Sequence, residues 1–228
     1  MVLRLESRPV GDVLVIQCHG RIVAGNNVYA LHAQVGDSLA HHADVVLQLD
    51  GVEFVDSSGL GALVRLVQTA RSKGGDLKLS RVPAMFRRSL EMTNLISHFE
   101  LYDSVDEAIT AAYLGSRYSR GMAGDARPRV LCLYESSDVR AFVREVLIGA
   151  GYNAMTVANI DDAKILVKAT KAKLVLVSAQ MQSCYGRPTS KVLQEVDPTI
   201  TLVVLDENFS MLEPGDAAHK LLSSVGTK

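Results

Sequence analysis

Nowhere in this sequence does an apolar run reach the ~20 residues that a membrane-spanning helix needs. The N-terminus lacks the apolar core of a secretory signal, because Arg4, Glu6 and Arg8 interrupt it. Cysteine is scarce: Cys18, Cys132 and Cys184 form no CxxC pair, and their odd number suits no disulfide framework. Cys18 and Cys132 sit in apolar runs and read as buried, reduced thiols, so the expected compartment is the cytoplasm. Charge of one sign is also missing. With a formal net charge of -1, no global field draws the chain onto nucleic acid or anionic lipid, and neither is expected as a partner. His19, His32, His98 and His219 have no metal-ligand spacing, and His41 and His42 adjoin at a predicted helix end, so no metal is expected. No Gly-rich phosphate loop of P-loop or Rossmann type is present, so no cofactor is implied.

What is present suits an ordinary globular α/β protein: 48% hydrophobic and 21% charged residues in 228. The first half alternates strand and helix. Val2 to Arg8 and Asp12 to Cys18 read as a hairpin turned at Pro9–Gly11. Asn27 to His41 reads as a helix with Val28, Leu31, Val35 and Leu39 on one face. Asp44 to Leu49 is a strand covered on both faces. Leu60, Leu63, Val64, Val67 and Ala70 recur at helical spacing until Gly74 and Gly75 end the helix. Asp76 to Arg81 is a strand, and Pro83 opens a helix with Met85, Phe86, Leu90 and Met92 toward the core. A brief strand, His98 to Tyr102, precedes a last helix capped by Ser104, with Glu107 placed as in a capping box. Gly115 to Arg129 loses apolar periodicity and reads as a linker, its Ser116, Arg117, Ser119 and Arg120 part of a solvated tether. The rhythm then resumes. Strands at Arg129 to Tyr134, Asn153 to Val157, Leu174 to Val177 and Thr201 to Leu205 are separated by helices at Val139 to Ala150, Asp161 to Ala172 and Lys191 to Val196. This spacing implies a doubly covered parallel sheet, with its last helix cut short.

The informative segment runs Asp50-Gly51-Val52-Glu53-Phe54-Val55-Asp56-Ser57-Ser58-Gly59-Leu60-Gly61. A buried strand leads through a loop to two serines and a glycine that opens an amphipathic helix. Unpaired N–H groups and the helix dipole favour negative charge there. Serine is also a preferred N-cap, which would need only one of the two. Gly59 and Gly61 remove side chains beside the site, so another protein's backbone could approach. No plausible His or Lys base lies near Ser58 in sequence, so no catalytic residue is assigned and the chain is not read as an enzyme.

This segment resembles a STAS domain of the anti-sigma-factor antagonist family, taken together with Gly74-Gly75-Asp76-Leu77-Lys78-Leu79 and the stretch from Phe99 to Ala108. The resemblance covers residues 1–114 and implies a mixed sheet with helices. It further implies that Ser58 is the serine phosphorylated by a partner, with Asp56, Ser57, Gly59 and Gly61 forming the switch loop and contact face. The implied partner is an anti-sigma factor that is also a serine kinase of the histidine-kinase-like ATPase type, with a serine phosphatase as a further candidate. The unphosphorylated domain would grip the kinase and the phosphorylated one release it. Many relatives carry a carboxylate in the loop after the second strand. Here that loop is Gly20-Arg21-Ile22-Val23-Ala24-Gly25-Asn26-Asn27, and no contact is carried over from it. Regulation of another output, or a scaffold role in a larger assembly, stand as alternatives.

After the linker, 115–128, residues 129–228 resemble the receiver domain of response regulators, a doubly wound sheet of flavodoxin-like type. The match lies in Val130 to Arg140 and in Gly151-Tyr152-Asn153-Ala154. Receiver chemistry needs two carboxylates for Mg²⁺ and an acceptor aspartate. The acidic pair falls on Tyr134 and Glu135, the acceptor on Ser178, the switch hydroxyl on Asp206 and the lysine on Ser224. A serine forms no acyl phosphate, so the resemblance implies a pseudo-receiver kept for protein contacts.

Overall fold

The computed structural model describes residues 2–41, 44–119 and 127–226. His42, Arg120 and the remaining linker residues through 126 lie outside them. The chain divides into two compact units between Gly124 and Asp125.

In the first unit, β1 (Arg4–Val10) and β2 (Val13–Ile22) pair antiparallel across a two-residue turn of Gly11 and Asp12. Gly11 takes φ 60°, which a side chain would resist. Then follow α1 (Asn26–His41), β3 (Asp44–Val55), α2 (Ser57–Ser72), β4 (Asp76–Ser80), α3 (Ala84–Met92), β5 (Leu101–Tyr102) and α4 (Val105–Ser119). The sheet runs β1-β2-β3-β4-β5, with every pair after the first parallel. Alternation sorts the strands' side chains to two faces. Leu14, Ile16, Cys18, Val45, Leu47, Leu49, Leu77 and Leu79 meet the apolar stripes of α1, α2 and α3. On the other face α4 crosses β3 and β4 and buries Ala108, Ile109, Ala112 and Tyr113. The Tyr113 hydroxyl accepts from Asp12 N at 2.8 Å and donates to the Val10 carbonyl at 3.2 Å, tying α4 to the hairpin turn.

Several boundaries differ from the sequence reading. Strand β3 does not end at Leu49. It is twelve residues long and runs on to Val55, straight through the expected loop, because β2 is also long enough to pair with it as far as Ile22↔Val55. Two register shifts, between Gln17 and His19 and between Gly20 and Arg21, take up the extra residues of β3. Gly51 pairs with His19 inside the strand, and a Cβ there would stand 2.2 Å from His19 Nδ1. Met85 and Met92 are exposed, at 76% and 79%, since α3 is a nine-residue helix whose buried stripe is only Phe86 and Leu90. The strand expected from His98 to Tyr102 shortens to the two residues of β5, with His98 closing a 3-10 turn that begins at Ile96. Helix α4 runs through Gly115 to Ser119, into the expected linker.

The second unit contains β6 (Arg129–Leu133), α5 (Ser137–Gly149), β7 (Asn153–Val157), α6 (Ile160–Thr170), β8 (Leu174–Ser178), the hairpin strands β9 (Ser183–Cys184) and β10 (Arg187–Pro188), α7 (Thr189–Gln194), β11 (Thr201–Leu205) and α8 (Pro214–Ser224). Four parallel strands lie in the order β11-β8-β6-β7. Val143 and Leu147 of α5 and Ala217 and Leu221 of α8 pack with Val130, Cys132, Leu176 and Leu205 on one face, while α6 lies against β6, β7 and α7. Both faces of this sheet are therefore covered. The last helix, expected to be cut short, is an eleven-residue helix packed beside α5. The β9–β10 hairpin was not legible in sequence. Its turn is Tyr185-Gly186, with φ 51° and 71°, a conformation usually signalled by Asn-Gly.

Candidate functional site

Strand β3 delivers the chain at Asp56 to the start of α2, and Asp56, not a serine, caps the helix. Its Oδ1 accepts from Gly59 N at 2.7 Å while its backbone is extended, at φ -90° and ψ 177°. The other oxygen, Oδ2, accepts from Ala24 N at 3.0 Å, in the loop between β2 and α1. The backbone adds a third tie, Asp56 N to the Ile22 carbonyl at 3.2 Å. The N–H of Ala24, then that of Gly59, holds the Asp56 carboxyl below its ordinary pKa, with smaller help from Ser58 N–H and the Arg21 charge. One carboxylate thus joins two loops that lie 32 residues apart in sequence.

Because Asp56 caps the helix, Ser57 and Ser58 occupy its first turn, and both are exposed. Among the described residues, neither hydroxyl has a hydrogen-bond partner. The reading of a serine as the N-cap is corrected by this geometry. The two glycines part company as well. A Cβ on Gly59 would lie 2.2 Å from the Ile22 carbonyl oxygen, so Gly59 serves contact within the domain and not approach from outside. On Gly61 a Cβ would meet only Arg65 Nη1, at 3.5 Å. The rim beside the serines carries apolar surface from the end of β3, where Phe54 is 50% exposed with the Arg21 guanidinium 5.1 Å from its ring centre. Sequence reasoning missed Ile22, Ala24 and Phe54. Only the carboxylate-free loop hinted that another residue must fix it.

In the second unit, Tyr134 is buried, and its carbonyl and that of Glu135 accept from Arg140 Nη1 at 2.8 and 2.7 Å. Ser178 at the end of β8 donates to Glu135 Oε1 at 3.0 Å, so these two positions do meet. Asp206 is engaged elsewhere: it accepts from Asn208 N at 2.8 Å and pairs with Lys220 at 3.2 Å, and these contacts lower its pKa. Ser224 donates to the Lys220 carbonyl on α8. Among the described residues no three His, Cys, Asp or Glu side chains gather as a metal site, and no helix is long and apolar enough to cross a membrane.

A family model described as "STAS domain" matches residues 4–108. An anti-sigma F factor antagonist of Paenibacillus polymyxa is 33% identical over 112 residues, covering 48% of this chain and 95% of that protein. Among solved structures, an anti-sigma factor antagonist from Mycobacterium paratuberculosis is 26% identical, covering 48% of this chain and 93% of that one with a TM-score of 0.41. The phosphorylated form of the Bacillus cell fate determinant SpoIIAA is 18% identical, covering 48% of this chain and 98% of that one with a TM-score of 0.40.

Proposed function

Since the first half of the chain belongs to the STAS domains of the anti-sigma-factor antagonist family, we propose that it is a partner switch set by phosphorylation of Ser58. The unphosphorylated domain binds an anti-sigma factor that is also a serine kinase of the histidine-kinase-like ATPase type. The kinase phosphorylates Ser58, and a serine phosphatase reverses the modification. The observation that carries this reading is the division of labour at α2. Asp56 takes the cap, which leaves the Ser58 hydroxyl exposed and uncommitted beside a partly apolar rim.

A phosphate adds about -1.5 to -2 charge there. It would be tolerated by the helix N-terminus, so the fold survives. A partner that buried Ser58 against this rim would meet a large desolvation cost and a charge with no counterpart. The protein itself performs no chemistry in this scheme. It is the kinase's substrate and ligand.

The second half, in this proposal, is a receiver-like contact module that takes no aspartyl phosphate. Its strand order, counted from β6, is 2-1-3-4, the start of the flavodoxin-like order. The position after β8 is a serine already bonded to Glu135. The test is phosphosite mapping of the protein from its native cells beside a pull-down with wild type, Ser58→Ala and Ser58→Asp. Phosphate on Ser58, with an ATP-binding kinase retained by Ser58→Ala and lost by Ser58→Asp, is the expected result. Identical partners for all three proteins, with Ser58 never phosphorylated, would overturn it and leave the scaffold reading in the lead.

A further inference from the structure

We propose that the second unit holds a small-molecule site at the carboxyl ends of β6 and β8, and that this site takes a short alkylammonium ion. A cavity of about 320 Å³ opens there, between Leu133 and Glu135 of the β6 end, the first turn of α6 and the β9–β10 hairpin. In the order β11-β8-β6-β7 the chain leaves β6 toward β7 on one side and returns to β8 on the other. The gap between β6 and β8 is therefore the topological switch point, where loops diverge and open α/β sheets bind their ligands. The Ser178–Glu135 hydrogen bond spans this gap.

The lining selects the chemistry. Glu135 brings the only formal charge among the lining residues, and no lysine, arginine or histidine is among them. Glu135, exposed at the end of β6, is therefore the one charged side chain that a ligand in this lining would meet. One Glu135 oxygen accepts from Ser178, and the other is available to an ammonium donor. Arg140 is committed to the carbonyls of Tyr134 and Glu135 and does not line the cavity. Leu133, Ile160 and Met181 supply apolar surface for a short carbon chain.

The hairpin wall is tied to α6. Tyr185, held at φ 51° in the hairpin turn, donates its hydroxyl to Asp161 on α6 at 2.8 Å and lies 5.9 Å from the Lys164 ammonium. A bulky residue in that conformation persists only where its surroundings hold it. The hairpin is thus held beside the cavity, and its Cys184 forms part of the wall. Cys184 is half-buried while Cys18 and Cys132 are buried, so one thiol reports on occupancy.

The experiment titrates the full chain with n-butylammonium, 1-butanol and butyrate at constant ionic strength. Backbone amides of Glu135 and Cys184 are followed by NMR, and iodoacetamide alkylation of Cys184 by mass. Saturable n-butylammonium binding is expected at about millimolar strength, as suits a probe of roughly five heavy atoms. Glu135→Gln should weaken it about tenfold, the size of one charge-assisted contact. Alkylation of Cys184 should slow on binding, and butyrate should leave both readouts unmoved. Equal binding of butyrate or butanol, no loss in Glu135→Gln, or no saturable response to n-butylammonium would overturn the proposal. Ser58→Ala should leave the site unchanged, which separates this result from the fate of the switch.

Discussion

Alanine at position 59 would place a methyl carbon 2.2 Å from the Ile22 carbonyl oxygen and 2.9 Å from Val55 Cγ1. The first obstacle is backbone, so no change of rotamer relieves it. The start of α2 must lift away from β2, and the hydrogen bonds from Asp56 N to Ile22 and from Ala24 N to Asp56 stretch with it. Overpacking of this kind costs about 1–3 kcal/mol, and each weakened hydrogen bond adds up to about 1 kcal/mol. The helix propensity of alanine over glycine returns only about 1 kcal/mol. The net expectation is a loss of about 2–3 kcal/mol from the first unit. At Gly61 the same substitution meets only the mobile end of Arg65, at 3.5 Å, so propensity prevails and the gain is about 0.5–1 kcal/mol. Urea denaturation of the full chain, read by hydrogen exchange of first-unit amides, measures both. For Gly59→Ala the midpoint should fall by roughly 1 M, while for Gly61→Ala it should rise. A Gly59→Ala midpoint at or above that of wild type would refute the close-approach argument.

Further outcomes follow from the same contacts. Asp56→Ala should cost about 1 kcal/mol near neutral pH through loss of the cap. Because the folded-state pKa of Asp56 is depressed from 3.8, that contribution is present above the unfolded value and is lost as pH falls through the folded one. The gap in thermal midpoint between wild type and variant should therefore be full at pH 7 and narrow below about pH 4. A gap that widens in acid would contradict the sign. Tyr113→Phe removes the hydroxyl that accepts from Asp12 N and donates to Val10 O. It should cost about 1–2 kcal/mol and speed exchange of the Asp12 amide, and unaltered protection there would show that the latch carries no energy.

Much of the architecture could be read in advance because it is written in short-range patterns. The apolar spacing of Leu60, Leu63 and Val67 marked α2, and the apolar runs at Leu174 to Val177 and Thr201 to Leu205 marked β8 and β11. The Asp56-to-Gly61 string was found at the start of α2, where the covering helix and strand predicted it. The misreadings share one cause. Met85 and Met92 are apolar in a helix, but a helix resting on the sheet through Phe86 and Leu90 alone leaves them in water. A loop was expected between Leu49 and Asp56, yet the chain stays in strand there, with Gly51 letting His19 pass close.

The sequence by itself determined the alternation of the main strands and helices, the break between two parts and the identity of the segment that carries Ser58. Those features depend on backbone sterics and side-chain periodicity within a few residues, which a chain displays before it folds. Only the tertiary structure decided that Asp56 caps α2 and reaches Ala24, that Gly59 and Gly61 differ in kind, and that Glu135, Ser178 and Cys184 gather at the β6 and β8 ends. Each of these joins residues distant in the chain, and their meeting depends on strand register and packing that no local pattern encodes.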